Sequence, residues 1–214
     1  MLIQNRTDPD GRALPGGFLR ERTTMAQTTA DVFCRKVGIE PGEVQPRLLR
    51  LFDDPRRDSR SWVISAAHAV SMRAADLDSA RGDLVRVDPD GRLEGEAPLQ
   101  FDHDEIVADA VEELRQRYEF RHRYADTLPD PDGFLDEPFT LHQLRRVHEA
   151  VIGQRLHKDN FNRRMKPLLN PLLRDGKPVL AESLRGRPAA LYRRRSNPLH
   201  ATGIKPDRGT LKRS

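Results

Sequence analysis

Residues 140–167, TLHQLRRVHEAVIGQRLHKDNFNRRMKP, leave the second half of this chain little freedom of fold. Thr140 and Gln143 have the spacing of a capping box, in which side chains and backbone exchange hydrogen bonds at a helix start. Leu141, Leu144, Val147, Val151 and Ile152 recur at helical intervals, and Gly153 is suited to close that helix. After a turn at residues 154–157, a further helix opens at Lys158 and must stop near Lys166, because Pro167 lacks the backbone donor. Two helices joined by a Gly-containing turn predict a helix-turn-helix. Phe161 and Met165, four apart, mark the inward face of the second helix. Asp159, Arg163 and Lys166 point the opposite way, with Asn160 and Asn162 on the flanks. Arginine and asparagine can bond guanine and adenine edges in bidentate fashion, so this helix is the candidate reader of base sequence. Lys158 and Arg164, nearer the core side, are candidate phosphate contacts, and Arg145 and Arg193 join the same set.

Residues 177–181 and 189–193 read as strands flanking a loop that carries Arg185 and Arg187, a hairpin of the kind that follows a recognition helix as a wing. Beyond Ser196 the composition predicts disorder. The charge agrees with a polyanionic partner. Residues 139–214 hold eighteen Lys/Arg against five Asp/Glu, a net +13, which leaves −9 on residues 1–138 behind an overall +4. A half this basic is an electrostatic footprint for nucleic acid.

Upstream, residues 101–121 predict one long helix, with Asp102 as N-cap and Ile106, Val107, Ala110, Val111, Leu114 and Tyr118 as its apolar stripe. Residues 124–136 form a connector rich in Pro, Asp and Gly. Near the start, Leu2–Gln4 reads as a strand end and residues 6–11 as a loop. Met25, Thr29, Val32, Phe33 and Lys36 fall on one helical face, expected to be buried at its centre, and Gly38 closes the helix. Residues 47–52 and 62–70 read as an antiparallel pair joined by the charged loop 53–60. Residues 73–100, with little apolar content, are expected to be irregular and mobile.

The stretch Leu14–Ile39, LPGGFLRERTTMAQTTADVFCRKVGI, resembles the signature loop and helix of Nudix pyrophosphohydrolases, with the family spacing kept from Gly16-Gly17 to Gly38-Ile39. The four positions where that pattern places glutamate hold Thr23, Val32, Arg35 and Lys36. Mg²⁺ needs carboxylate and water oxygens, so the resemblance implies a scaffold kept and its chemistry deleted. The loop 53–58 is similar to one that borders the ligand in the ADP-ribose branch of the family. Gly16, Gly17, Phe18, Asp53, Arg57 and Asp58 are thereby candidates for a ligand pocket. Only 15 residues precede Gly16, fewer than such domains carry; either the start lies further upstream or the domain is short.

The two halves together resemble the Nudix-related transcriptional regulators of NAD metabolism. That resemblance is most specific in residues 139–151, 155–164 and 186–193. It implies an α+β chain: a degenerate, short Nudix-like α/β/α domain over residues 1–100, a winged helix-turn-helix over 101–195 that includes a bridging helix, and a basic tail, 196–214. It also implies a homodimeric repressor that binds a double-stranded DNA operator and senses ADP-ribose or a related nucleotide or sugar metabolite, with no cofactor. The apolar helix 103–120 and the sheet edge left by a short N-terminus are the expected dimer surfaces. The alternative is a Nudix hydrolase acting on ADP-ribose or another nucleoside diphosphate derivative. It would need other carboxylates, and Glu21, Glu40 and Glu43 lie outside the helix that should carry them. The seven histidines show no metal-ligand spacing, and His142 and His148 read as surface residues of a helix. The single cysteine, Cys34, excludes an internal disulfide. The first residues lack an apolar signal core and no run suits a membrane span, so a cytoplasmic protein is expected.

Overall fold

The computed structural model describes residues 1–39, 46–119, 128–181 and 188–195. The chain opens as a hairpin of β1 (Leu2–Thr7) and β2 (Asp10–Ala13), with Gln4 opposite Ala13 and Thr7 opposite Asp10. The loop expected at residues 6–11 therefore shrinks to a tight turn. A helix follows, α1 (Met25–Val32), which runs into a π-turn at Phe33–Val37 and ends at Gly38 with φ +78°. Thr24 caps α1 in a capping box with Gln27. The buried centre expected for this helix is not found: no residue of α1 is buried and Met25 is exposed. Its C-terminal end is held instead by polar contacts. Gln4 Nε2 donates to the Lys36 carbonyl, and the Arg81 backbone N–H donates to Val37, which satisfies carbonyls that a helix end leaves open.

Strands β3 (Arg47–Phe52) and β4 (Ser65–Ala69) pair antiparallel as expected, though β4 starts later than residue 62. The segment 73–100 departs from expectation. It contributes β5 (Asp83–Leu84), which adds to β1, and a Val87–Leu93 bridge. Leu99 is buried with Ile3 and Val107, and Val85, Val87 and Leu93 pack on them. The sequence pattern hid this core because its apolar residues are scattered among turns and meet only through β1 and the next helix.

That helix, α2 (His103–Tyr118), joins the parts of the molecule. Val107 belongs to the cluster around Ile3, while Ile106 packs with Phe52 and Ala67 below β3 and β4. At the far end Tyr118 is buried and stacks edge-on with His148 of the next helix, centroids 4.9 Å apart. Ile106, Val107 and Tyr118 of the apolar stripe are thus buried within the chain, while Ala110, Val111 and Leu114 are half-buried. Asp102 occupies the N-cap position without capping, because its carboxylate faces Arg57 instead.

The C-terminal region has strand order β6–β10–β7, formed by Phe139–Thr140, Leu191–Arg194 and Leu169–Pro171. Helices α3 (Leu141–Ile152) and α4 (Lys158–Met165) lie between β6 and β7 in sequence. The Thr140–Gln143 capping box and the left-handed Gly153 stop both form as predicted. Phe139, Leu144, Phe161, Met165, Leu169 and Tyr192 make one buried cluster, each large side chain contributing about 1.5–3 kcal/mol.

His148 corrects a sequence expectation. It is buried between the Tyr118 and Phe161 rings and donates from Nε2 to the Pro129 carbonyl at 2.8 Å. Burial pushes its pKa down.

The connector before β6 carries the least expected feature. Asp130, its side chain fully buried, accepts from Tyr118 Oη at 3.1 Å, Phe134 N at 3.1 Å, Leu135 N at 3.0 Å and Arg194 Nη2 at 2.6 Å. Removing one partner of a buried charged network costs about 3–5 kcal/mol. Asp130→Ala should lower stability by that amount, and Tyr118→Phe by about 1 kcal/mol, both read from denaturant midpoints. An Asp130→Ala midpoint matching the native chain would show that the network does not hold the connector.

Candidate nucleic-acid interface and ligand loop

The double-glycine loop is fastened at both ends. Leu14 N donates to His103 Nδ1 at 3.0 Å, at the start of α2. Lys36 Nζ bonds to the Gly16 carbonyl from the π-turn. A Cβ on Gly17 would lie 2.8 Å from Val32 Cγ2, so the helix approaches the loop as closely as glycine permits. Phe18 projects outward, 76% exposed.

The four positions where the resemblance expects glutamate are otherwise employed. Thr23 Oγ1 donates to the Arg20 carbonyl at 2.7 Å, Val32 faces Gly17, Arg35 pairs with Asp31, and Lys36 holds Gly16. Among the described residues, no group of three or more His, Cys, Asp or Glu side chains could hold a metal ion. Glu21 is on the surface beside Arg22; Glu40 and Glu43 lie outside the described residues.

Of the loop candidates, Asp53 alone is exposed without such a commitment. Arg57 donates from Nε and Nη2 to Asp102 at 2.7 and 2.6 Å, both side chains nearly buried. Asp58 accepts from Arg60 N, Nε and Nη2 at 3.0, 3.0 and 2.9 Å. Those bonds from Arg60 hold the Asp58 carboxyl down at about 2. Arg57 thus braces the loop against the start of α2 through Asp102, and Asp58 is held within the loop by Arg60. The guanidinium groups of Arg6 and Arg60 lie 5.0 and 5.1 Å from the Phe101 ring centroid.

On the C-terminal side, α4 divides as its sequence predicts. Phe161 and Met165 are buried, while Lys158, Asp159, Asn160, Arg163 and Lys166 are exposed. Arg163 Nη2 donates to Asn160 Oδ1 at 3.3 Å, which places the two side chains together on the outer face. Asn162 and Arg164 are half-buried on the flanks, and Arg193 is exposed on β10. Arg145 is tied within the chain, to Glu149 at 2.6 Å and to the Leu156 carbonyl at 3.2 Å. Glu149 also accepts from Leu156 N at 3.0 Å, and that bond is the first cause of its lowered pKa. Arg145 and Glu149 therefore set the turn between α3 and α4.

The wing differs from the expected single hairpin. Ala181 N donates to Ala189 O, and Leu180 bridges Ala190, as predicted, but Arg185 and Arg187 lie outside the described residues. A second hairpin, β8 (Leu173–Arg174) with β9 (Lys177–Pro178), precedes it. The Asp-Gly pair at 175–176, a strong hairpin signal, was available in the sequence for it.

Comparison with known proteins agrees with this geometry. Residues 133–194 match the family described as the NrtR DNA-binding winged helix domain. A curated relative from Acinetobacter baylyi, "ADPR responsive transcriptional repressor NtrR", is 25% identical over 174 residues, 77% of this chain. The chain spans 64% of that relative's length. The crystal structure of Shewanella oneidensis NrtR complexed with a 27mer DNA superposes with TM-score 0.64 at 26% identity, covering 89% of this chain and 84% of that one. A MutT/nudix family protein from Enterococcus faecalis shares the fold, with TM-score 0.59 at 20% identity over 91% of this chain and 80% of its own. The fold is a Nudix-like region followed by a winged helix. No helix among the described residues is long and apolar enough to cross a membrane.

The clasp between His103 and the loop has a pH signature. Burial lowers the His103 pKa from 6.5 to about 4, so the folded chain keeps it neutral while the unfolded chain protonates it. Stability should fall as pH drops from about 6.5 towards 4, the unfolded state alone taking up the proton. His103→Asn keeps an acceptor for Leu14 N and removes the titration. Its urea midpoint should drop less over this range than that of the native chain; equal slopes would show that His103 is not held neutral.

Proposed function

We propose that this chain, a Nudix-related protein whose residues 133–194 form an NrtR-type DNA-binding winged helix, is a transcriptional repressor that reads an operator through α4. The observation that carries this reading is the outer face of α4. Arg163 and Asn160 lie side by side there, opposite Phe161 and Met165, which anchor the helix in its core. A rigid helix displaying these two side chains is suited to base edges in the major groove. Lys158 and Lys166 at its ends, with Arg193 on the neighbouring strand, supply positive charge for the phosphates on either side.

The N-terminal region senses ADP-ribose or a related metabolite, as the name of the Acinetobacter relative suggests for that protein. Gly16, Gly17, Phe18 and Asp53 are the exposed groups that remain for the ligand. The protein acts as a homodimer, since recognition helices that read a two-fold site must lie about 34–36 Å apart. A ligand that favours one arrangement of the dimer shifts that spacing through linkage.

The region binds without hydrolysing. Thr23, Val32, Arg35 and Lys36 give Mg²⁺ no carboxylate, and incubation with ADP-ribose and Mg²⁺ should release no product. Turnover abolished by a chelator would overturn this part of the reading.

The DNA assignment is tested on an operator selected from randomised duplexes with the native protein. Arg163→Ala should weaken operator binding by about 1–3 kcal/mol and change random-duplex binding little. Lys158→Ala should weaken both alike and reduce the salt slope by about one. Unchanged operator preference in Arg163→Ala would remove α4 from the role of reader.

A further inference from the structure

The wing divides at a ring of three backbone hydrogen bonds. Leu172 N donates to Leu191 O at 2.8 Å, Leu191 N to Val179 O at 2.9 Å, and Val179 N to Leu172 O at 2.8 Å. Three antiparallel ladders leave this ring. One runs back into the core as β7–β10, with Tyr192 opposite Pro171. A second runs through Leu180 and Ala190 towards residues 182–187. The third is β8–β9, closed by Asp175 at φ +52° and Gly176 at φ +74°, the two left-handed residues that a type I′ turn requires. The β8–β9 hairpin is thus a prong separate from the ladder through Leu180 and Ala190.

On that prong Arg174 and Lys177 are register partners, directly opposite across the ladder, and both are exposed. Like charges so placed destabilise a hairpin, and two strands alone are marginal in water. Among the described residues neither cation forms an ion pair, and Asp175 between them forms none. The arginines of the N-terminal region are used differently: Arg12, Arg35, Arg47, Arg50, Arg57, Arg60 and Arg73 each face a carboxylate of this chain. A pair of exposed cations held opposite each other, with no ion pair among the described residues, suits an external anion that repeats at short intervals. Duplex DNA carries one charge per about 3.4 Å of each strand.

We infer that the Asp175–Gly176 prong is a second DNA-backbone contact, in which Arg174 and Lys177 bracket phosphates beside the site read by α4. The inference rests on the DNA-binding reading above. It adds a contact made through charge alone, so it contributes affinity without sequence preference.

The test uses the full chain, the selected operator and a random-sequence duplex, with binding measured across a salt series. Arg174→Gln/Lys177→Gln should weaken binding to both duplexes by the same factor and lower the salt slope by about two. Its melting midpoint should match or slightly exceed the native one, because the removed charges repel each other and both side chains are exposed. Unchanged affinity and slope, with Lys158→Gln still lowering the slope by about one, would overturn the prong and leave the DNA reading intact. A loss confined to the operator would assign the prong to base reading and overturn the backbone contact. If the native protein binds no duplex at all, the repressor reading itself falls.

Discussion

A carboxylate with no access to water holds the two regions of this molecule in one arrangement. Burying a charge is costly unless donors surround it, and Asp130 finds four: the Tyr118 hydroxyl from α2, two backbone N–H groups of its own connector, and the Arg194 guanidinium from β10. Two residues on, the nearly buried Asp132 faces Arg47 of β3 at 3.2 Å and Arg117 of α2 at 3.1 Å. Strand β3, helix α2, the connector and the wing strand β10 can satisfy these two aspartates together in few ways. Hydrophobic packing at this junction, through Tyr118, His148 and Phe161, supplies area but little direction. The aspartates supply the direction.

The allocation of arginines follows from the same economy of charge. In the N-terminal region guanidinium groups act as internal braces, as Arg57 does on Asp102 and Arg47 on Glu113. In α4 and the wing the exposed cations Lys158, Lys166, Arg174, Lys177 and Arg193 have no ion-pair partner among the described residues. The charge asymmetry visible in the sequence correctly placed the basic half, but it could not sort its members. Arg145 belongs by composition to the DNA face and by geometry to the α3–α4 turn, because Glu149 lies four residues away on the same helix and is itself buried.

What could be read in advance was local. The Thr140–Gln143 box, the stop at Gly153 and the inward pair Phe161 and Met165 depend on neighbours within four residues, and each formed as read. What could not be read depends on distant partners. His148 looks like a polar surface residue until Tyr118 and the Pro129 carbonyl close over it. The segment 73–100 looks coreless until Val85, Val87, Leu93 and Leu99 meet Ile3 and Val107. The same limit applies at the ligand loop, where the Gly16-Gly17 spacing was legible. The contacts of Arg57 and Asp58, made to Asp102 and to Arg60, were not.

These contacts give the proposed repressor a mechanical route from effector to operator. The N-terminal end of α2 is tied to the Gly16-Gly17 loop and the 53–60 loop by Leu14 on His103 and by Arg57 on Asp102. Its C-terminal end is tied to the winged helix by Tyr118 on Asp130 and Arg117 on Asp132. Sixteen helical residues span about 24 Å, and a helix clamped at both ends moves as a rod. Under the proposed reading, a small displacement at the loops would reach α4 as a rotation of the whole winged helix, since α3 and α4 share one buried core and one Glu149-bonded turn. In the proposed homodimer, such a rotation would change operator affinity without altering any residue that touches DNA.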